Sequence, residues 1–223
     1  MAPSYIRRYQ DQDWKAVRDI FSKGLLGNVP SDFWPLLKKP RSSLILLGVP
    51  IVLVLGSGSL LLSLLSFFVI FTGQLLTFRK FVLQYIEHAL QTDLLDIQKS
   101  YLSARGSNLW VAESEHQVVG IVAARPAERP KRGGKYLELL RLSVKREHRG
   151  QGLARTLVQT VLQFASDHGY DGVILETSNS NHPAQRLYES LGFHKSHESW
   201  YYLNWWTAAL AIWHYQCDFS SQS

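Results

Sequence analysis

Apolar residues recur along this chain with different periods, and each period predicts a different kind of element. Residues 4–9 read as a short strand. Asp11 or Asp13 can N-cap a helix over 14–23, with Trp14, Val17, Ile20 and Phe21 on one face. Gly24, Gly27, Asn28 and Pro30 break that pattern. Further on, Leu83, Ile86, Leu90, Leu94, Ile97 and Tyr101 follow steps of three and four over 82–104. Thr92-Asp93 divides this stretch and Gly106 ends it. Residues 109–113 and 118–124 form a hairpin through Glu115-His116-Gln117, and 136–144 is a third strand after a loop over 126–134. A helical stripe follows (Leu153, Leu157, Val158, Val161, Ala165), then a buried strand over 173–177. A short helix over 183–191 has Pro183 in its first turn and Gly192 at its C-cap. Residues 193–199 and 200–205 read as two final strands. The aromatic, then polar tail over 206–223 receives no regular structure.

One stretch has no amphipathic period at all. Residues 42–78 contain no charged side chain, and these 37 residues exceed the ~20 that one spanning helix needs. Gly48, Pro50 and the Gly56–Ser59 stretch interrupt it. Lys38, Lys39 and Arg41 precede it; Arg79 and Lys80 follow. Positive flanks on both sides put both ends on the cytosolic face, which fits a helical hairpin or re-entrant loop. A single tilted span is the alternative. A buried soluble helix of this length without charge is disfavoured.

Charge sharpens the picture only modestly. The net charge of +6 would suit nucleic acid or an anionic membrane surface. The basic residues gather around the apolar run, so the membrane is favoured and nucleic acid is not expected. One cysteine, Cys217, excludes an intrachain disulfide, and no Asn-x-Ser/Thr sequon occurs. The first 41 residues mix Lys, Arg and Asp with scattered apolar positions, unlike a signal peptide. The histidines show no metal-ligand spacing, so no metal is expected. The pattern sets no oligomeric state.

Candidate chemistry begins at Arg149-Gly150-Gln151-Gly152-Leu153-Ala154, where a strand gives way to a helix. Two glycines let the backbone approach a ligand, and the unpaired N–H groups of the first helical turn favour an anion. That describes a diphosphate-binding turn. A second unit, Asn181-x-x-Ala184-x-x-x-Tyr188-x-x-x-Gly192-Phe193, follows the next strand. Ala184 and Tyr188 share one helix face, the small residue leaving room beside the helix.

Together, Val144-x-x-x-His148-Arg149-Gly-Gln-Gly-Leu-Ala154 and Asn181…Tyr188…Gly192-Phe193 resemble the acetyl-CoA signature of the GNAT N-acetyltransferase superfamily. The element order matches from Ser4 to Trp205, apart from the apolar insertion. That insertion, with Trp-Val-Ala-Glu-Ser-Glu at 110–115 and Thr-Val-Leu-Gln-Phe-Ala at 160–165, is similar to the camello-like N-acetyltransferase 8 family. The resemblance implies an α/β (α+β) GNAT acyl-CoA N-acyltransferase fold. Its mixed central sheet has flanking helices, with a membrane hairpin inserted after the first helix. Residues 1–41 would supply the first strand and helix, 42–78 the membrane segment, 79–205 the catalytic core, and 206–223 a tail.

The resemblance also implies roles. Acetyl-CoA would be the co-substrate. Backbone N–H groups from Arg149, Gly150, Gln151, Gly152, Leu153, Ala154 and Arg155 would hold its diphosphate, with Asn181 and Ala184 beside it. The edge of Leu142, Ser143 and Val144 would pair with the pantetheine amides, and a backbone N–H there would polarise the acetyl carbonyl. Tyr188 is the candidate acid for the leaving thiolate. Its structural alternative is simple packing. The base is Glu138 or Glu176, with Glu138 favoured and Glu113 third, each set against a solvated strand-face carboxylate. Arg125, Arg141 and the Lys131–Lys135 loop are candidates for a substrate carboxylate. The acceptor is the α-amine of a cysteine S-conjugate or a lysine ε-amine of a secretory or membrane protein. Neutralising a lysine at pH 7 costs roughly 4.6 kcal/mol against about 1 for an α-amine, which favours the former. The expected location is the endoplasmic reticulum membrane or the adjoining intermediate compartment, the catalytic domain facing the cytosol. A membrane-tethered, non-catalytic adhesion-regulating or binding protein is the reading of another class.

Overall fold

The computed structural model describes residues 4–103, 105–128, 134–202 and 209–219. Its strands are β1 (Tyr5–Arg8), β2 (Asn108–Ser114), β3 (Gln117–Pro126), β4 (Tyr136–Val144), β5 (Gly172–Ser178), β6 (His194–Tyr202) and β7 (Ala209–Asp218). Its helices are α1 (Trp14–Leu37), α2 (Pro40–Ser57), α3 (Leu60–Gln91), α4 (Leu153–Asp167) and α5 (His182–Glu189). The strands form one sheet in the order β1-β2-β3-β4-β5-β7-β6. Only β4 and β5 are parallel, because α4 crosses over between them.

The sheet is buried on both faces. Trp110, Ala112, Leu137, Leu139, Val173 and Leu175 pack with the α4 stripe of Leu153, Leu157, Val158 and Val161. Leu109, Val111, Val118, Ile121 and Ala123 pack on the opposite side with Val17, Ile20, Phe21, Ile86 and Leu94. Successive strand residues therefore supply both cores, which explains the continuous apolar runs. The β2–β3 hairpin turns at Glu115 and His116, both at positive φ (50° and 60°), as a tight two-residue turn requires.

Two helix boundaries differ from the sequence reading. α1 does not stop at Gly24 but runs on through Pro30 and Pro35 to Leu37. Its second half buries Phe33, Leu36 and Leu37 against Leu46 and Phe78, and this packing overrides the weak helix propensity. Gly24 is needed for close approach instead: a Cβ there would collide with Ser143 Oγ of β4. Likewise, the second part of the apolar run and the amphipathic segment after it are one continuous helix, α3, which ends at Thr92 as its composition suggested. Leu94 then reaches the core from a turn, and Ile97 and Tyr101 from a short π-helix over Gln98–Leu102 and its N-cap.

The uncharged insertion forms two packed helices. Gly48 and Pro50 lie inside α2. The break falls at Gly58, left-handed at φ 67°, and Ser59, whose hydroxyl accepts from Leu62 N at 3.4 Å. Ser63 Oγ donates to the Pro50 carbonyl at 3.0 Å, tying the helices together near that turn. With 18 residues, α2 spans about 27 Å, close to a bilayer's hydrocarbon core. Both helices are long and apolar enough to cross a membrane, and Leu44, Ile51, Leu55, Leu61, Leu65 and Phe68 remain exposed along them. Leu37 and Phe78 share one cluster, so both ends of the pair return to the same place. The geometry is that of a hairpin.

The chain's last stretch also differs. Residues 193–205 were expected to make two strands and the tail none. Instead β6 is one strand, and the tail supplies β7, inserted between β5 and β6. Ala211, Tyr215 and Cys217 alternate into the core, the period-two signal of a strand.

Candidate active site

The parallel pair β4–β5 sets the site. Their register runs from Tyr136 opposite Gly172 to Leu139 opposite Leu175 and stops there, although the strands continue to Val144 and Ser178. The C-terminal halves part, leaving the β5-facing edge of Leu142, Ser143 and Val144 without a strand partner. On its other side β4 stays paired with β3 through a bulge between Leu140 and Ser143. Arg141 sits in that bulge at φ 57°, a conformation costly for a residue with a Cβ. Its guanidinium grips Asp93 with two hydrogen bonds, of 3.0 and 2.8 Å, and lies over the Phe21 ring. Tyr101 donates to the same carboxylate.

The glycine turn stands at the end of β4. After a single turn at Arg146–His148, Gly150 and Gly152 take φ of 76° and 81°, and α4 begins. An added Cβ at either glycine would meet nothing within 4 Å, so conformation, not packing, requires glycine, and the turn faces open space. Among the described residues no side chain caps the first turn of α4, whose N–H groups at Leu153, Ala154 and Arg155 point out of the helix end. Arg149 Nε donates to the Val144 carbonyl at 3.1 Å. Arg155 Nη2 donates to Ser190 Oγ at 2.6 Å, joining α4 to the end of α5. This open, glycine-lined helix terminus fits a diphosphate.

Asn181 caps α5, its side chain accepting from Ala184 N at 3.4 Å, and Ala184 is half-buried beside it. One turn on, Tyr188 is buried against Phe193 and Tyr215, with ring centroids 5.8 and 6.0 Å away. Burial pushes its phenol well above the ordinary tyrosine range, so it keeps its proton. Among the described residues its hydroxyl makes no hydrogen bond.

Glu138 and Glu176 lie on the other face of the sheet, towards α1. Arg125 Nε donates to Glu138 at 3.0 Å. Glu176 is the first β5 residue beyond the paired segment and so stands at the mouth of the gap. Its carboxyl is raised above the usual range by burial and then by the charge of Glu138. Glu113 is elsewhere, on β2, held by Arg7 at 2.6 Å and remote from the gap.

The candidates for a substrate carboxylate fare differently. Arg141 is committed to Asp93. Lys135 lies over the Tyr170 ring, at the opposite end of β4. Residues 131–133 lie outside the described residues. Trp200 is exposed at the hairpin's base, with Lys39 Nζ 4.5 Å above its ring. Two polar contacts were not foreseen. Ser180 Oγ donates to Asp32 of α1 at 2.8 Å, drawing the end of α1 across the β5–α5 loop. His214 of β7 approaches Glu176 at 3.1 Å. The alternation through β7 was the signal that could have placed His214.

The chain has counterparts among known proteins. The sequence pattern of the acetyltransferase (GNAT) family matches residues 75–193. N-acetyltransferase 8F1 of Rattus norvegicus is 50% identical over 206 residues, covering 92% of each chain. The chain belongs to the GNAT acetyltransferases. N-acetyltransferase 8 of Mus musculus is 46% identical (96% of this chain, 95% of that one), and human N-acetyltransferase 8B is 47% identical (91% and 89%). This GNAT protein is thus an N-acetyltransferase of the camello-like N-acetyltransferase 8 group. Solved structures share the fold. A ribosomal-protein-alanine N-acetyltransferase of Brucella melitensis superposes with a TM-score of 0.57 at 18% identity, covering 96% of this chain and 99% of that one. A Salmonella typhimurium acetyltransferase solved with its cofactor acetyl-CoA gives 0.54 at 15% identity (96% and 93%).

Proposed function

We propose that this enzyme transfers the acetyl group of acetyl-CoA to a primary amine at a membrane surface. The observation that carries this reading is the open turn at Gly150–Gly152 beside the parted edges of β4 and β5. The backbone N–H groups from Arg149 to Arg155 bind the diphosphate, and the free edge of Leu142, Ser143 and Val144 pairs with the pantetheine amides. Acetyl-CoA supplies an activated thioester carbonyl. Glu176, assisted by the nearby charge of Glu138, takes a proton from the acceptor ammonium, which frees the amine to attack. Tyr188 gives its proton to the departing thiolate.

The acceptor we favour is the α-amine of an apolar cysteine S-conjugate. Two arguments support it: the lower cost of deprotonating an α-amine, and a gap that opens beside the base of an apolar hairpin, where lipid-partitioned molecules arrive. The lysine ε-amine is the second reading. It draws support from the two carboxylates at the gap and from Arg141 being committed to Asp93. The basic flanks of the hairpin support a catalytic domain in the cytosol, and the membrane we propose for it is that of the endoplasmic reticulum.

Microsomes bearing the protein, given acetyl-CoA and either S-benzylcysteine or a lysine peptide, test this directly. Acetylation of S-benzylcysteine, lost in Tyr188→Phe, is the expected result. Acetylation of the peptide alone selects the second acceptor, and acetylation of neither overturns the proposal. Protease protection that put Tyr5 and Gly152 on opposite membrane faces would overturn the orientation.

A further inference from the structure

The α1 face of the sheet carries a polar row that the reaction above uses only in part. Arg125 on β3 bonds Glu138 on β4. On β5, Glu176 stands directly opposite His214 of β7, and His214 opposite His197 of the edge strand β6. The contacts follow this register. His214 Nδ1 lies 3.1 Å from Glu176 Oε1, and its Nε2 lies 2.8 Å from Ser199 Oγ. The His197 ring stacks on it at 3.7 Å, with 17° between the planes. His214 is therefore held on three sides.

We propose that His214 is a positioning residue for the reaction, fixing the Glu176 carboxylate at the mouth of the β4–β5 gap as the proton acceptor. A carboxylate only accepts hydrogen bonds, so Nδ1 carries the proton shared with Glu176, while Nε2 accepts from the Ser199 hydroxyl. One Glu176 oxygen is thereby tied to the sheet and the other is left for the acceptor ammonium. Glu176 is half-exposed, so the proton it takes leaves to water at the mouth. The charged groups facing Glu176 are Glu138 from β4 and His197 from β6, with His214 in contact from β7. Among them Glu138 opposes ionisation and His197 favours it, while His214 supplies the contact that holds one carboxylate oxygen.

This inference rests on Glu176 being the base, and the test separates the two ideas. His214→Phe keeps a ring for His197 to stack on but has no N–H. His214→Asn restores an N–H near the Nδ1 position. Rates with acetyl-CoA and S-benzylcysteine or a lysine peptide are followed against pH. Alongside, the pH dependence of carbodiimide labelling at Glu176 is read by mass spectrometry, which needs no turnover. In the Phe variant, labelling and the acid limb of kcat/KM should both move up by about one pH unit, with roughly tenfold less activity at pH values below the wild-type limb and little loss well above it. KM for acetyl-CoA should hold, and the Asn variant should return to wild-type behaviour. An unmoved labelling curve in His214→Phe overturns the positioning role, as does equal loss at every pH in both variants. Full activity in Glu176→Gln overturns the base assignment, and the role of His214 falls with it.

Discussion

Two ionic clusters lie on the same face of the sheet, and they are built to opposite ends. At the β4 bulge, Asp93 and Arg141 are each nearly enclosed, with side chains 13% and 12% exposed, and Tyr101 completes the set. At the gap, Glu176 is half-exposed, beside a second carboxylate and a histidine. Burial works against ionisation in both places. In the first, Arg141's bidentate contact and charge outweigh it and hold Asp93 below the usual carboxylate range. In the second, no cation of that strength stands in contact with Glu176 among the described residues, and the carboxyl rises. A closed pair locks a shape; an open, frustrated carboxyl is the one we propose as proton acceptor.

The comparison breaks first at the closed cluster. Asp93→Ala leaves a buried guanidinium without its partner and the bulge without its clamp. It should cost about 3–5 kcal/mol, read by chemical unfolding in detergent. A loss under about 1 kcal/mol would mean that the bulge stands on its own. Next in size is Tyr188→Phe, a phenol-to-phenyl change inside a packed cluster. It should leave stability and acetyl-CoA binding in place while kcat falls about a hundredfold, an effect of ~2.7 kcal/mol on the barrier. Unchanged kcat would make Tyr188 a packing residue alone. Gly152→Ala forces a Cβ into a left-handed conformation and should cost about 1–2 kcal/mol, with a raised KM for acetyl-CoA and little change in kcat.

The smallest effect has the opposite sign. Asp93's folded value lies below its unfolded one, so its stabilisation is complete above the ordinary carboxylate range and is lost as pH falls through the folded value. For Glu176 the folded value is the higher one. Its ionisation therefore subtracts stability as pH rises from the ordinary glutamate range through that raised value. Glu176→Gln should match or slightly exceed the wild type in stability at neutral pH, while Asp93→Asn should fall below it. Melting temperatures of both variants at pH 4 and pH 7 check this, and a less stable Glu176→Gln at pH 7 would show that its carboxylate is structural.

Much of the site was legible because its determinants are local. Gly150 and Gly152 require positive φ whatever surrounds them, and the α4 stripe orients the helix that follows. Asn181 and Pro183 announce the start of α5. What escaped was set by distant packing. Nothing near Gly24 or Pro30 predicts that Phe33 and Leu36 will find Phe78 and carry α1 onward to Leu37. The tail's alternation at Ala211, Tyr215 and Cys217 was weakened by surrounding aromatics, so β7 was missed. With it went His214, whose meaning comes only from pairing opposite Glu176. The Asp93–Arg141 clamp spans 48 residues and leaves no local trace.

The pairing of β1 with β2 bears on how the protein is made. Arg7 reaches both Asp13, its near neighbour, and Glu113, which is 106 residues away in sequence. At ordinary synthesis rates the first strand waits roughly 5–20 s for its partner to be made. The entire apolar hairpin is synthesised during that wait. The hairpin is thus complete before β1 can pair with β2, and the first edge of the sheet forms only after both long apolar helices have left the ribosome.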